Sequence, residues 1–322
     1  MLHSLVTFLF VAVQPVSPMH LYNGLQQGIL VDVRLPEHID VAHVVLLNHE
    51  NEPLSGFEAI TSGSHDLISR IPEIKEITEA SWVQLLVNDA PYGTPLVIDP
   101  LLSRQVPIVE DFPRQGGTGT YTKIVGWEDE AEEDGLQTPL VNGWRVYLER
   151  DAIIKTSEGD IQIAFRPDVA PNTVWNFLML SEGGFYRGSS FHRIVPLTSK
   201  GHPFVIQGGD PMGTGSGGPG YWLPIENSSL AHDFGVISMA REGDPDSAGS
   251  QFFICLSREG TAKLDGQYCS FGESSGGEEV ILKIAATPLE DPSSGKPTSP
   301  PIIENVELLD ASPRMPKQTQ KK

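Results

Sequence analysis

Cysteine is scarce: Cys255 and Cys269 are the only two in 322 residues, too few for a disulfide framework. Neither lies in a Cys-x-x-Cys or Cys-x-x-x-His spacing, so there is no zinc signature and both read as buried thiols. Basic residues are also few, with 22 Lys and Arg against 42 Asp and Glu for a formal charge of -20. Such a chain lacks the clustered cations that neutralise phosphates, which excludes nucleic acid and anionic membrane surfaces as partners. Long apolar runs are missing too. Met1–Val13 resembles a secretory leader, but it contains no Lys or Arg and is too short to span a bilayer. Residues 1–18 therefore stand as a leader or an upstream extension, with Met19 as an alternative start. Export is open, and a cytoplasmic chain is the slightly better fit.

Glycine and proline, by contrast, are plentiful. The 32 Gly and 26 Pro make about 18% of the chain, against an average of about 12%. Turns at this density favour a mainly β class, and the length suits two domains, each able to bury a core. Val31–Leu35 alternates apolar and polar residues as a half-buried strand does, and Val41–Leu47 reads as a second strand. Trp82–Val87 runs through a turn-rich Asn88–Gly93 into Pro95–Ile98, which predicts a hairpin. Leu67–Ile77, interrupted by Pro72, offers a helical turn or two. Residues 19–125 thus read as a small β-sandwich-like domain of unreadable role, a tether to an unidentified protein being one use for it.

Six carboxylates in the seven positions Glu128–Asp134 repel one another into a solvated run, so residues 126–143 read as an acidic linker. They lack the ordered ligands and Gly of a calcium loop. The second domain, 144–310, opens with strands at Trp144–Leu148 and Gly159–Phe165. Pro171 starts a helix running to Leu180 with Val174, Phe177 and Leu178 at helical spacing, and Glu278–Ile284 reads as a second helix. Residues 311–322 are polar and basic and read as a disordered tail.

Four segments follow in which polar residues interrupt short apolar strands: Phe191-His192-Arg193-Ile194, Phe204-Val205-Ile206-Gln207-Gly208-Gly209-Asp210, Ile237-Ser238-Met239-Ala240 and Ser250-Gln251-Phe252-Phe253-Ile254. In this order, with Asn176-Phe177, Gly184-Phe185-Tyr186, Leu264-Asp265-Gly266 and Phe271-Gly272, they resemble the cyclophilin family of peptidyl-prolyl isomerases over about Trp144–Leu309. The resemblance implies a closed eight-stranded antiparallel barrel capped by two helices, with a groove for proline-containing polypeptides on its outside. It also implies catalysis by Arg193 and Gln207, and a substrate surface made of Phe204, Val205, Ala240, Gln251, Phe253, Leu264 and Tyr268.

The residues suit that chemistry. Rotation about an Xaa–Pro bond must break amide resonance over a barrier of about 18–20 kcal/mol, yet no covalent bond is cleaved. A catalyst has to hold the ring in an apolar pocket and favour the twisted amide over both planar forms. A guanidinium such as Arg193 stays charged and presents a fixed fork of donors to the carbonyl and the pyramidal nitrogen. No metal or organic cofactor is called for. His192, adjacent to Arg193 on the strand, points to the other face and reads as a buried, hydrogen-bonded histidine.

Four positions depart from the family pattern. Lys263 stands where many members carry Trp, Tyr268 where His is frequent, Val205 where Met is commoner and Arg241 where Asn often follows the Ala. Tyr268 still offers an aromatic wall, whereas Lys263 loses an indole, which predicts weaker binding of cyclosporin-type macrocycles and a narrower peptide preference. These changes also motivate a second reading, a proline-peptide binding module that has lost turnover. Gly213-Thr214-Gly215-Ser216-Gly217-Gly218 satisfies a phosphate-loop spacing, but Pro219 bars a following helix, leaving a loop beside the groove. His38, His43 and His49 are too unevenly spaced for a metal site.

Overall fold

The computed structural model describes residues 14–114, 119–130 and 141–317. In the strand Leu30–Val33 the alternation buries Val31 and Val33. That strand pairs antiparallel with Val16–Pro18 on one side and Gly63–Asp66 on the other. A second, seven-stranded sheet includes Ala42–Leu47, Ser81–Val87 and Leu96–Leu102. Val31 and Val33 from the first sheet meet Val44, Leu46, Val83 and Ile98 from the second in one apolar core. The expected hairpin is present, with Trp82 opposite Val97. Between its arms Asn88 and Asp89 both take positive φ, 51° and 61°, as a type I′ turn demands. The Leu67–Ile77 stretch gives one α-turn, Leu67–Arg70, capped by the Asp66 carboxylate, and then the 3-10 turn Pro72–Glu76.

The eight-stranded antiparallel sheet runs in the order Arg193–Leu197, Pro203–Gly208, Phe252–Cys255, Val236–Met239, Ser270–Gly276, Gly159–Phe165, Arg150–Thr156, Ile303–Asp310. Its two outer strands share no ladder. The segments just before them are joined instead, with Gly188 N–H donating to Ile303 C=O, Ile303 N–H to Ser189 C=O and Phe191 N–H to Pro301 C=O. The helix Pro171–Glu182 begins on the proline that favours a first turn and lays Val174, Phe177 and Leu178 on the sheet. The helix Glu278–Ala285 adds Val280, Ile281 and Ile284 to the same core.

Several sequence expectations are corrected. Val141–Leu148 is not the first strand of the isomerase-like sheet. It lies between Tyr22–Gly24 and Leu96–Leu102 in the seven-stranded sheet, because Trp144 and Val146 are buried in the core beneath that sheet. The start of the acidic run is not a solvated linker: Glu128 and Asp129 end the strand Thr120–Asp129, opposite Val106 and Gln105 of Gln105–Pro113. The carboxylates from Ala131 onward lie outside the described residues. Of the segment 1–18, residues 1–13 are likewise outside them, and Val16–Pro18 is a paired strand.

The expected disordered tail, residues 311–322, is corrected over 311–317, which pack on the body, while 318–322 lie outside the described residues. The Arg314 guanidinium lies 3.9 Å over the Trp82 ring, donates to both Glu149 oxygens and to Asn51 Oδ1, while the backbone N–H of Arg314 donates to Gln84 Oε1. A cation that satisfies its donors on two elements and an aromatic face outweighs the polarity of its neighbours.

Candidate active site

Register brings the expected residues together. Arg193 stands opposite Gln207, and Gln207 opposite Phe253, across three adjacent strands. The exposed Arg193 guanidinium donates to Gln207 Oε1 at 3.1 Å. Gln207 Nε2 donates to Gln251 Oε1 at 3.0 Å, and Gln251 Nε2 donates to the carbonyls of Gly215 and Gly217 at 3.0 and 2.9 Å. Three side chains thus form one polarised chain, fixed at its far end by the glycine loop. The amide orientations follow from this bonding pattern.

That loop is held by a residue the sequence reading missed. Asp210, fully buried, accepts from the N–H groups of Met212, Thr214 and Gly215. Burial pushes its carboxyl up, but these backbone donors outweigh burial and hold it below the usual carboxylate range. Gly217 passes so close that a Cβ there would sit 1.9 Å from Asp210 Oδ1. The Asp followed by a Gly-rich run was the available signal.

Beside the polar chain, Val205, Phe253 and Leu264 form an apolar cluster with Phe204, Ala240 and Tyr268 packed against it. The Tyr268 ring meets Phe253 edge-on at 5.6 Å. On the other side of Phe253 lies the His232 ring, near-parallel at 6.0 Å. His232 is fully buried and bridges Asp265 Oδ1 at 3.0 Å through Nδ1 to Ser238 Oγ at 2.9 Å through Nε2. Burial lowers its pKa more than Asp265 raises it, so the imidazole is neutral, donating to the carboxylate and accepting from the hydroxyl. Nothing in the sequence pattern singles out His232.

The other surrounding groups have no acid, base or nucleophile role. His192 lies just before the strand and is half-buried, and among the described residues its ring nitrogens have only the backbone of Ser190 as a weak partner. Burial lowers its pKa as well. Cys255 and Cys269 are free and buried, and burial pushes each thiol up to about 12, too high for a thiolate at neutral pH. Among the described residues no group of three or more His, Cys, Asp or Glu is placed to hold a metal.

The rim carries two of the departures. Lys263 Nζ stands 4.8 Å from the centre of the Phe204 ring. The Arg241 guanidinium stacks 4.7 Å from the Tyr268 ring and donates to the carbonyls of Gln267, Glu242 and Gly243. Gln267, also missed in the sequence, exchanges two hydrogen bonds with the backbone of Ile124, tying the Gln105–Pro113/Thr120–Asp129 ribbon to the rim. The site can therefore grip a small apolar ring and set charged and amide donors beside it, with no group placed for bond cleavage.

Residues 152–308 match the family model described as cyclophilin type peptidyl-prolyl cis-trans isomerase/CLD. The chain is 45% identical over 129 residues to a peptidyl-prolyl cis-trans isomerase of Synechococcus elongatus, covering 40% of this chain and 83% of that protein. It is 38% identical to peptidyl-prolyl cis-trans isomerase B of Streptomyces anulatus, over 48% of this chain and 94% of that one. A solved Cryptosporidium parvum cyclophilin type peptidyl-prolyl cis-trans isomerase aligns with 34% identity and a TM-score of 0.44, over 48% of this chain and 96% of its own.

Proposed function

The chain belongs to the cyclophilin-type peptidyl-prolyl cis–trans isomerases, and we propose from this that it accelerates rotation about Xaa–Pro bonds of polypeptides through Arg193 and its amide chain. The observation that carries the proposal is the run Arg193–Gln207–Gln251–Gly215/Gly217 set along an apolar cluster of Val205, Phe253 and Leu264. The proline ring enters the cluster, with Tyr268 and Phe204 as walls and Ala240 beside it. Only the amide then remains free to turn. As it twists, the nitrogen regains a lone pair and the carbonyl its full polarity, both of which a fixed guanidinium favours over the planar forms.

Gln207 keeps Arg193 in one pose, since the bond from its Nε2 to Gln251 turns its Oε1 toward the guanidinium. Preorganised donors pay no reorganisation at the moment of rotation, and a thousandfold acceleration asks for about 4 kcal/mol of such differential binding. Neutral His232 and the buried thiols stay outside the chemistry. We also infer that the eight-stranded sheet works as a closed barrel, a reading supported by the hydrogen bonds joining 188–191 to 301–303.

The test is two-dimensional NMR exchange on an Ala-Pro peptide with the full chain at catalytic concentration. Exchange cross-peaks that grow with enzyme support the assignment. Peptide binding without faster exchange overturns it in favour of a binding module.

A further inference from the structure

Three cations, Arg193, Arg241 and Lys263, stand at the rim of the apolar cluster in a chain whose formal charge is -20. Elsewhere Arg145, Arg258 and Arg314 each hold a carboxylate. Arg193, Arg241 and Lys263 form no ion pair with a carboxylate among the described residues. Arg193 donates to a neutral amide, and Arg241 donates to backbone carbonyls while stacked on Tyr268. Lys263 is exposed, its ammonium held over the half-buried Phe204 ring. The neighbouring Asp265 is already neutralised by Arg258.

Arg193 leans on Gln207 and Lys263 on Phe204, two positions three residues apart on one strand, or roughly 10 Å. A peptide laid along this strand with its proline in the cluster passes between the two cations. Resting on the proposed isomerase reading, we propose that the groove selects Xaa–Pro bonds flanked by a carboxylate side chain, and that Lys263 is the residue that makes the selection. The ring face keeps the ammonium at the rim without discharging it, so an incoming Asp or Glu supplies the counter-ion that the protein does not.

The experiment measures kcat/KM of the full chain on matched Ala-Pro peptides carrying Glu, Gln or Lys immediately before or after the dipeptide. At low ionic strength, for one of the two placements, we expect the Glu peptide to exceed the Lys peptide by about tenfold, attraction and repulsion each giving about threefold. The ratio falls toward one in 0.5 M salt, a measurement that needs no variant. Lys263→Glu inverts the ratio. A parent ratio of one for both placements, or a ratio that Lys263→Glu leaves unchanged, overturns the selectivity. Absence of acceleration on the Gln peptides overturns the isomerase reading instead.

Discussion

Replacing Arg193 by Ala separates catalysis from folding more cleanly than any other change at the site. The side chain is exposed and makes one hydrogen bond, to Gln207, so its removal alters stability by no more than about 0.5 kcal/mol. Its effect on the rate is larger. A charge-assisted donor on the proline carbonyl contributes about 1.5–3 kcal/mol, and the variant also frees Gln207 from its fixed pose. If that interaction is made in the twisted state and not in the planar ones, kcat/KM falls by roughly 10- to 150-fold. Arg193→Lys keeps the charge but not the fork, and should recover only part of the loss. NMR exchange on the Ala-Pro peptide gives the rate, and a urea midpoint verifies the fold. A rate within about threefold of the parent, at unchanged midpoint, would refute the electrostatic role and leave the pocket alone to account for turnover.

Three other outcomes follow from the geometry. Gly217→Ala drives a Cβ into Asp210, displacing the loop carbonyl that receives Gln251, and should cost about tenfold in kcat/KM, whereas Gly218→Ala meets nothing within 4 Å and should not. Arg314→Ala removes the cation over Trp82 and leaves Glu149 without its partner, both groups being mostly buried. We expect a loss of about 2–3 kcal/mol in urea unfolding together with a changed Trp fluorescence, and an unchanged midpoint would show the tail to be unimportant. Burial pushes the Asp265 carboxyl up, but Arg258 and His232 overcome it and hold it at about 2, below its ordinary 3.8. The resulting stabilisation is present above pH 4 and lost as pH falls toward 2. With the side chain 35% exposed it amounts to about 1 kcal/mol after screening, and Asp265→Asn should abolish that acid step in a pH series of urea midpoints.

What the sequence disclosed depended on how local each signal was. The Asn88-Asp89 turn, the Pro171 helix start and the alternation in Leu30–Val33 are set by neighbours in the chain, and the structure has them. Arg193, Gln207, Phe253 and Leu264 were singled out because a family order of motifs marks them, and the fold brings them to one face. Trp144–Leu148 was recognised as a strand yet assigned to the wrong sheet, since only pairing with Leu96–Leu102, some forty residues earlier, decides where the observed strand Val141–Leu148 goes. His232 and Gln267 were invisible for the same reason, their roles arising from partners 6 to 143 residues away. The tail misled by composition: one arginine with an aromatic face and a carboxylate waiting for it suffices to order a polar segment.

The junction at Glu149 bears on how this chain can be taken apart. The strand ending at Leu148 belongs to one sheet and the strand beginning at Arg150 to the other, with Glu149 between them gripped by Arg314 from the far end of the chain. The larger apolar core draws Leu47, Trp82 and Val97 from the first half and Phe177, Phe252 and Ile281 from the second. A cut ahead of Trp144 takes an interior strand out of the seven-stranded sheet, and a cut behind Leu148 leaves Arg314 on the released half without the Trp82 face and its acceptors on Gln84 and Asn51. Either way, side chains that now cover each other become sticky surface on two fragments. The two halves thus share a core that neither keeps intact alone, and separating them should lower the stability of each fragment.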